Sequence, residues 1–225
     1  MIKNISNLGD AAVYCDFGTE VNKSINSEVI KYFKALKKEN IESINNLTPS
    51  YNKLIVSYDL RKTNFKEVKK LIENLNVNET QDKNNTKIEI PVCCDDQFSL
   101  DIKRLEEKLN INRNKILENF FSKDYFCYMT GFIAGMPFLG DLGENMRVPR
   151  LETPRVKVPK GSVALTEQFV NIYTFESPGG WNILGNTPID IFDNSKEVEP
   201  NLINPGDTVV FKQISIEEYN NYNDK

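Results

Sequence analysis

Glycine and proline are unevenly distributed along this 225-residue chain: nine of the eleven glycines and eight of the ten prolines follow Thr130. Both residues mark tight turns and weaken helix interiors, so the two halves call for different architectures. The first half alternates helical and strand patterns, whereas the second is turn-rich with short strands. The expectation is an α+β chain of two domains, residues 1–80 and 86–225, each long enough to bury a core.

Along the first half, Ile2–Ile5 and Ala11–Phe17 read as strands around the turn at Leu8-Gly9-Asp10. Ile25, Val29, Phe33 and Leu36 recur at helical spacing, with Lys34, Lys37 and Lys38 at the C-terminal end where positive charge suits the helix dipole. Strands are expected at Ile41–Leu47 and Lys53–Tyr58. A second amphipathic helix carries Phe65, Val68, Ile72 and Leu75, with Asn64 as its N-cap. The order β-β-α-β-β-α predicts a small sheet with helices on one face, and the polar, Asn-rich stretch 76–85 reads as a linker. Beyond it, Lys87–Cys93 alternates like a strand, and Ser99 is the expected cap of a helix carrying Ile102, Leu105 and Leu109. A short helix over Asn114–Phe121 and a buried strand at Tyr125–Thr130 follow. Short strands punctuated by Gly and Pro are expected from there to the end, as in a closed β-barrel.

The composition excludes several kinds of function. Net charge is −4 with the basic residues dispersed, so no concentrated positive face for nucleic acid is expected. No run of about 18 apolar residues exists, so no membrane span is expected. The opening residues Met1–Ser6 lack the apolar core of a secretory signal, and a cytoplasmic location follows as the expectation. Histidine is absent, which removes Ser-His-Asp and Cys-His triads, histidine metal ligands and imidazole acid–base chemistry. Cys15, Cys93, Cys94 and Cys127 show no C-x-x-C spacing and lie in apolar stretches, so buried reduced thiols are expected rather than a reactive cysteine or a metal site.

Three segments carry whatever chemistry remains: Gly131–Gly140, Pro149–Val163 and Ile172–Pro188. In the second, Arg150 and Arg155 stand among prolines on stiff loops, and a planar guanidinium suits a bidentate grip on carboxylate or phosphate. The third contains Ser177-Pro178-Gly179-Gly180-Trp181. Adjacent glycines let backbone N–H groups approach a ligand closely and stabilise an anion or a polarised carbonyl without histidine. The sole tryptophan can wall a pocket. Gly180, between Gly179 and Trp181, is expected at a backbone bend that a side chain would block. Each piece alone has an ordinary structural explanation, as a turn, a core aromatic or a surface ion pair; their order and spacing make the case.

With that order and spacing the sequence resembles the 5-oxoprolinase B-subunit family, also called allophanate hydrolase subunit 1 or KipI-like. Leu8-Gly9-Asp10, Phe17-Gly18, Pro49-Ser50-Tyr51, Tyr58-Asp59 and Ile90-Pro91-Val92 fall at matching places, so the likeness spans nearly the whole chain. The resemblance implies a ferredoxin-like α/β N-terminal domain followed by a cyclophilin-like β-barrel. It implies the B subunit of a heteromeric, ATP-dependent hydrolase complex that opens 5-oxoproline to L-glutamate. Such a subunit acts with a C subunit (allophanate hydrolase subunit 2-like) and an A subunit, and is inactive alone. Two alternatives remain: a component handling urea or another amide, or a non-catalytic KipI-like kinase inhibitor. ATP belongs to the complex; the chain has no G-x-x-x-x-G-K-[ST] loop. Arg150, Arg155, Ser177, Gly179, Gly180, Trp181 and Thr187 form the expected substrate-binding set, with no catalytic residue singled out and no metal.

The match fails at a few places expected to surround the pocket. Phe120 stands where family members carry a histidine, Val92-Cys93-Cys94-Asp95-Asp96 replaces a glycine-rich run, Phe169 takes the place of a glutamine unless Gln168 shifts into it, and Ala134 and Met136 replace a proline and a phenylalanine.

Overall fold

The computed structural model describes residues 1–77 and 86–223; the expected linker lies outside the described residues from position 78 on. The chain divides into two compact units, Met1–Asn85 and Thr86–Lys225.

The first unit contains β1 (Asn4–Asn7), β2 (Ala12–Asp16), α1 (Lys23–Glu39), β3 (Ile44–Pro49), β4 (Lys53–Tyr58) and α2 (Phe65–Glu73). The sheet runs β1-β2-β4-β3 with every neighbour antiparallel. Because β2 and β3 both run antiparallel to the β4 between them, α1 links two parallel strands across an intervening one. Alternation places Val13, Cys15, Leu54, Val56 and Tyr58 on one face of the sheet, where they form a core with Val29, Leu36, Val68 and Ile72 from the helices. Asn22 caps α1 by accepting from the Ile25 N–H, and Asn64 caps α2 by accepting from the Lys66 and Glu67 N–H groups.

The second unit contains β5 (Lys87–Cys93), α3 (Ile102–Leu109), α4 (Arg113–Phe121), β6 (Asp124–Thr130), β7 (Pro137–Gly140), a 3₁₀ turn (Glu144–Met146), β8 (Arg155–Val158), β9 (Ser162–Thr166), β10 (Phe169–Ile172), β11 (Ser177–Gly179), β12 (Asn182–Asn186), β13 (Thr208–Ile214) and α5 (Ile216–Asn223). Seven strands close into a barrel in the order β10-β7-β6-β13-β5-β12-β9. Closure leaves no unpaired barrel edge, which reconciles short strands with stability. Inward residues such as Ile90, Val92, Val163, Leu165, Val170, Ile172 and Leu184 fill the barrel. β8 and β11 stand apart as a two-stranded ribbon. All four cysteines are buried and free. Among the described residues no helix is long and apolar enough to cross a membrane.

Several elements depart from the sequence reading. β3 begins at Ile44 rather than Ile41, because the Ile44 N–H bonds back to the Ile41 carbonyl and closes a turn there. Ser99 does not cap α3: Asp101 holds the cap position, while the Ser99 hydroxyl lies 2.8 Å from the Cys94 carbonyl and 2.7 Å from the Leu184 carbonyl, tying the helix entry to the barrel. The last described element is helix α5 rather than a strand. Its start is a reciprocal capping box: the Glu218 N–H donates to Ser215 Oγ, and the Ser215 N–H donates to the Glu218 carboxylate.

Candidate functional site

Because Val163 and Leu165 of β9 point into the barrel, Ala164 points outward, as do Asn171 of β10, paired with it, and Ile183 of β12. Met136, Val158, Ala164, Tyr173 and Ile183 form a second apolar cluster, with Ile133, Phe138 and Trp181 packed at its margin. Val158 brings the β8–β11 ribbon into this cluster, and buried polar groups collect around it.

Arg155 sits at the start of β8, opposite Gly179 of β11. Its Nη2 donates to Asp101 Oδ1 at 2.6 Å, and the two side chains are 28% and 6% exposed. The other carboxylate oxygen of Asp101 accepts the Ile183 N–H at 2.7 Å, while the Asp101 N–H donates to the Ile183 carbonyl. Asp101 thus secures β12 where its register with β9 shifts between Ile183 and Gly185, and presents one oxygen to Arg155. The Arg155 Nη1 is buried without a hydrogen-bond partner. An unpaired, buried edge of a guanidinium is costly to leave so, and it is the edge a carboxylate would fill.

Tyr173 is 1% exposed. A β-carbon on Gly179 would lie 2.1 Å from its hydroxyl oxygen, so the glycine is what admits the phenol. Burial pushes the Tyr173 phenol above its ordinary value; Asn171, the Trp181 N–H, Arg150 and Arg155 pull it the other way. The phenol therefore keeps its proton at neutral pH. The Trp181 N–H lies near enough to this phenol to act on it. Asn171 is completely buried and its amide lies beside the phenol, yet neither amide atom has a partner in good hydrogen-bond geometry. The Ser177 hydroxyl on β11 is likewise buried and unpartnered. Trp181 packs edge-on against Phe138, ring centres 5.6 Å apart.

Gly180 does not behave as its sequence context suggests. Its φ lies outside the left-handed region, and a β-carbon there would meet Pro154 at 3.5 Å and the Arg150 guanidinium at 3.6 Å, both ordinary contacts. Its carbonyl accepts the Leu151 N–H. The steric demand belongs to Gly179. Arg150 is exposed beside Gly180, and its carbonyl is approached by Arg104, whose Nε donates to Asn182. Thr187 lines an adjoining cavity of about 230 Å³, bounded by Lys160, Gly161, Thr174, Asn186, Asp190 and Tyr219 as well as by Tyr173.

The structure thus gathers Arg150, Arg155, Gly179, Gly180 and Trp181 around Tyr173, with Ser177 on the same ribbon, and sets Thr187 in the cavity. Asp101 and Asn171 join them without having been singled out by sequence. An asparagine in the apolar run Phe169–Ile172 is a legible signal of a buried polar group; Asp101 carries none, since its partners lie 54 and 82 residues away. The expectation that the unusual residues surround the pocket fails for Phe120. That ring is fully buried in the barrel core, stacked on Phe211 at 4.9 Å, where a histidine would need a polar partner. Phe169 packs edge-on against Tyr128. Met136 does touch the cluster that contains Tyr173.

A closed seven-stranded barrel with a polar cluster beside the β8–β11 ribbon, preceded by a four-stranded sheet and two helices, makes this an α+β protein. The signature of the carboxyltransferase domain, subdomain C and D, matches residues 3–203. The 5-oxoprolinase B subunit of Bacillus subtilis is 29% identical over 98% of this chain and 97% of its own length, and that of Haemophilus influenzae is 32% identical over 92% and 96%. Among solved structures, TTHA0988 superposes with a TM-score of 0.82 at 28% identity, covering 91% of this chain, which spans only 40% of that longer one. The chain belongs to the carboxyltransferase domain, subdomain C and D, family and, within it, to the 5-oxoprolinase B-subunit family.

Proposed function

We propose that this chain is the B subunit of an ATP-dependent 5-oxoprolinase complex, opening 5-oxoproline to L-glutamate together with the C and A subunits. The observation that carries the reading is the buried, unpaired Nη1 edge of Arg155, held in place by Asp101. A substrate carboxylate is the natural occupant of that edge. The lactam ring of the same substrate presents an N–H and a C=O side by side, the complement of an amide such as Asn171. Tyr173, its phenol raised by burial, keeps its O–H to donate toward a carbonyl. Arg150 adds a second cation at the exposed side. These groups bind and polarise; they do not themselves open the ring.

A neutral lactam is a poor electrophile. Transfer of the terminal phosphoryl group of ATP to the lactam oxygen would activate the carbon. Water then adds to that carbon, the C–N bond breaks with the ring nitrogen leaving as the amine, and a second water cleaves the resulting acyl phosphate to give glutamate and phosphate alongside ADP. ATP enters through the assembled complex, as this chain carries no P-loop sequence. We read the N-terminal unit as ferredoxin-like, on the split arrangement of β2, β4 and β3 joined by α1, and the barrel as cyclophilin-like, with boundaries at residues 1–80 and 86–225. A cytoplasmic, heteromeric protein goes with this reading.

Co-expression with the two partner subunits, followed by measurement of glutamate formed from 5-oxoproline with and without ATP, tests the proposal. ATP-dependent glutamate formation by the complex, and none by the single chain, is the expected result. A complex that assembles but releases no glutamate would overturn it.

A further inference from the structure

The cavity that holds Thr187 adjoins the Arg155 cluster through Tyr173, and the contacts proposed for the lactam leave its Thr187, Lys160 and Asp190 side unused. At about 230 Å³ it lies below the roughly 300–1,000 Å³ of pockets that take drug-sized ligands, so a nucleotide or a peptide does not fit. Its lining combines three kinds of group. At the rim, Lys160 Nζ and Asp190 Oδ1 stand 2.6 Å apart, half-exposed. In the wall, Thr187 is 3% exposed and its hydroxyl has no hydrogen-bond partner. Pro188, Ile189 and Ile191 supply apolar surface.

The frame around these groups is fixed. The Thr187 N–H donates to the Gly161 carbonyl at 2.9 Å. Gly161 has φ +80° and passes so close that a β-carbon would lie 2.5 Å from the Thr187 carbonyl. On the other side Asn186 donates to the Lys160 carbonyl and accepts from the Tyr219 hydroxyl of α5 at 2.7 Å. With its neighbours satisfied, the Thr187 hydroxyl is the spare polar group of this wall.

We propose that this cavity binds a small zwitterionic α-amino acid. An anion alone would face Asp190 and a cation alone would face Lys160. A ligand carrying ammonium and carboxylate on one carbon meets both, because its two charges lie about as close together as the Lys160–Asp190 pair. An exposed ion pair is worth little, so exchanging its two partners for a ligand's opposite charges costs little. The ligand carboxylate goes to Lys160 and the Thr187 hydroxyl, the ammonium to Asp190, and a short aliphatic side chain to Pro188 and Ile189. Because the two charges that hold the ligand are half-exposed and screened by solvent, millimolar affinity, about 4 kcal/mol, is expected, which suits sensing of an abundant metabolite.

The test is ligand-detected NMR on the full chain with L-alanine, acetate and methylammonium as separate probes. Saturable millimolar binding is expected for L-alanine and for neither half-ligand. Thr187→Val, which preserves shape, and the surface changes Lys160→Met and Asp190→Asn should each weaken it about tenfold, the worth of one lost charge-assisted hydrogen bond. Absence of saturable alanine binding, equal binding by acetate, or binding unchanged in all three variants would overturn the proposal. Because none of these measurements involves ring opening, its failure is distinguishable from failure of the lactam reading.

Discussion

Asp101 and Arg155, 54 residues apart in sequence, meet through a 2.6 Å charge-assisted hydrogen bond in which the carboxylate is buried and one guanidinium nitrogen is left over. The same carboxylate takes the Ile183 N–H. It therefore couples the strand that borders the site to the arginine that furnishes it.

Removing Asp101 strands a partly buried cation and an N–H together. Asp101→Ala should lower unfolding stability by about 2–4 kcal/mol, as for a broken buried pair with one partner remaining. Asp101→Asn can still accept the Ile183 N–H and should lose less. Urea unfolding with unchanged slope and a shifted midpoint measures both. A positioning role for Asp101 further requires that the Asn variant, in the assembled complex, raise KM for 5-oxoproline more than it lowers kcat. An unchanged KM would leave Asp101 a purely structural residue.

The two glycines before Trp181 should respond in opposite ways. Gly179→Ala drives a methyl group into the Tyr173 phenol, 2.1 Å from its oxygen, and overpacking of this kind costs about 1–3 kcal/mol. Gly180→Ala meets only ordinary contacts and should melt like the parent. Trp181, the single tryptophan, reports on the segment directly by its fluorescence. Adding Tyr173→Phe to Gly179→Ala removes the clashing oxygen and should recover part of the loss. Equal melting temperatures for the two single alanine variants would contradict the packing described.

That contrast shows where sequence reading stops. The doublet Gly179-Gly180 is visible as a constraint, but which glycine bears it depends on the position of Tyr173, a tertiary fact. Local signals are legible wherever the cause is local: the apolar stripe from Ile25 to Leu36 lies on α1, and Asn64 caps α2. The polar helix α5 has no apolar stripe to announce it, although the Ser215–Glu218 capping box is there to be read. Spacing from Tyr125 says only that Phe120 stands where the resemblance expects a histidine; the barrel shows that it packs on Phe211. Asp101 stays hidden in the sequence because every bond that gives it meaning is long-range.

Stability should fall in alkali. Burial pushes the Cys15 and Cys94 thiols up to about 12 from an ordinary 9.0, and raises Cys127 as well. Above about pH 9 the unfolded chain therefore releases thiol protons that the folded chain keeps. Fewer protons on the unfolded state means that unfolding free energy decreases with pH. The contribution is full below pH 9 and is lost progressively toward pH 12. The urea midpoint should be flat from pH 7 to about 8.5 and decline beyond, with native thiols unreactive toward a disulfide reagent until denaturant is added. Rapid labelling of the native chain at pH 8 would show that these thiols are not buried as described.

Arg155→Lys separates charge from geometry at the site. Lysine keeps the positive charge and can reach Asp101, so the ion pair that supports folding survives in part. What it lacks is the second, parallel donor edge: the guanidinium holds Asp101 through Nη2 and leaves Nη1 free, whereas an ammonium has no planar fork to divide between two carboxylates. A hydrogen bond to a charged group contributes about 1.5–3 kcal/mol, so loss of the free edge should raise KM for 5-oxoproline roughly tenfold to a hundredfold in the assembled complex. The melting temperature should move by only a few degrees. Arg155→Met, losing both functions, should instead destabilise the chain clearly, because it leaves the Asp101 carboxylate buried without its cation. Should Arg155→Lys retain the parental KM, the free edge does not hold substrate, and Arg155 serves only to anchor the β8–β11 ribbon.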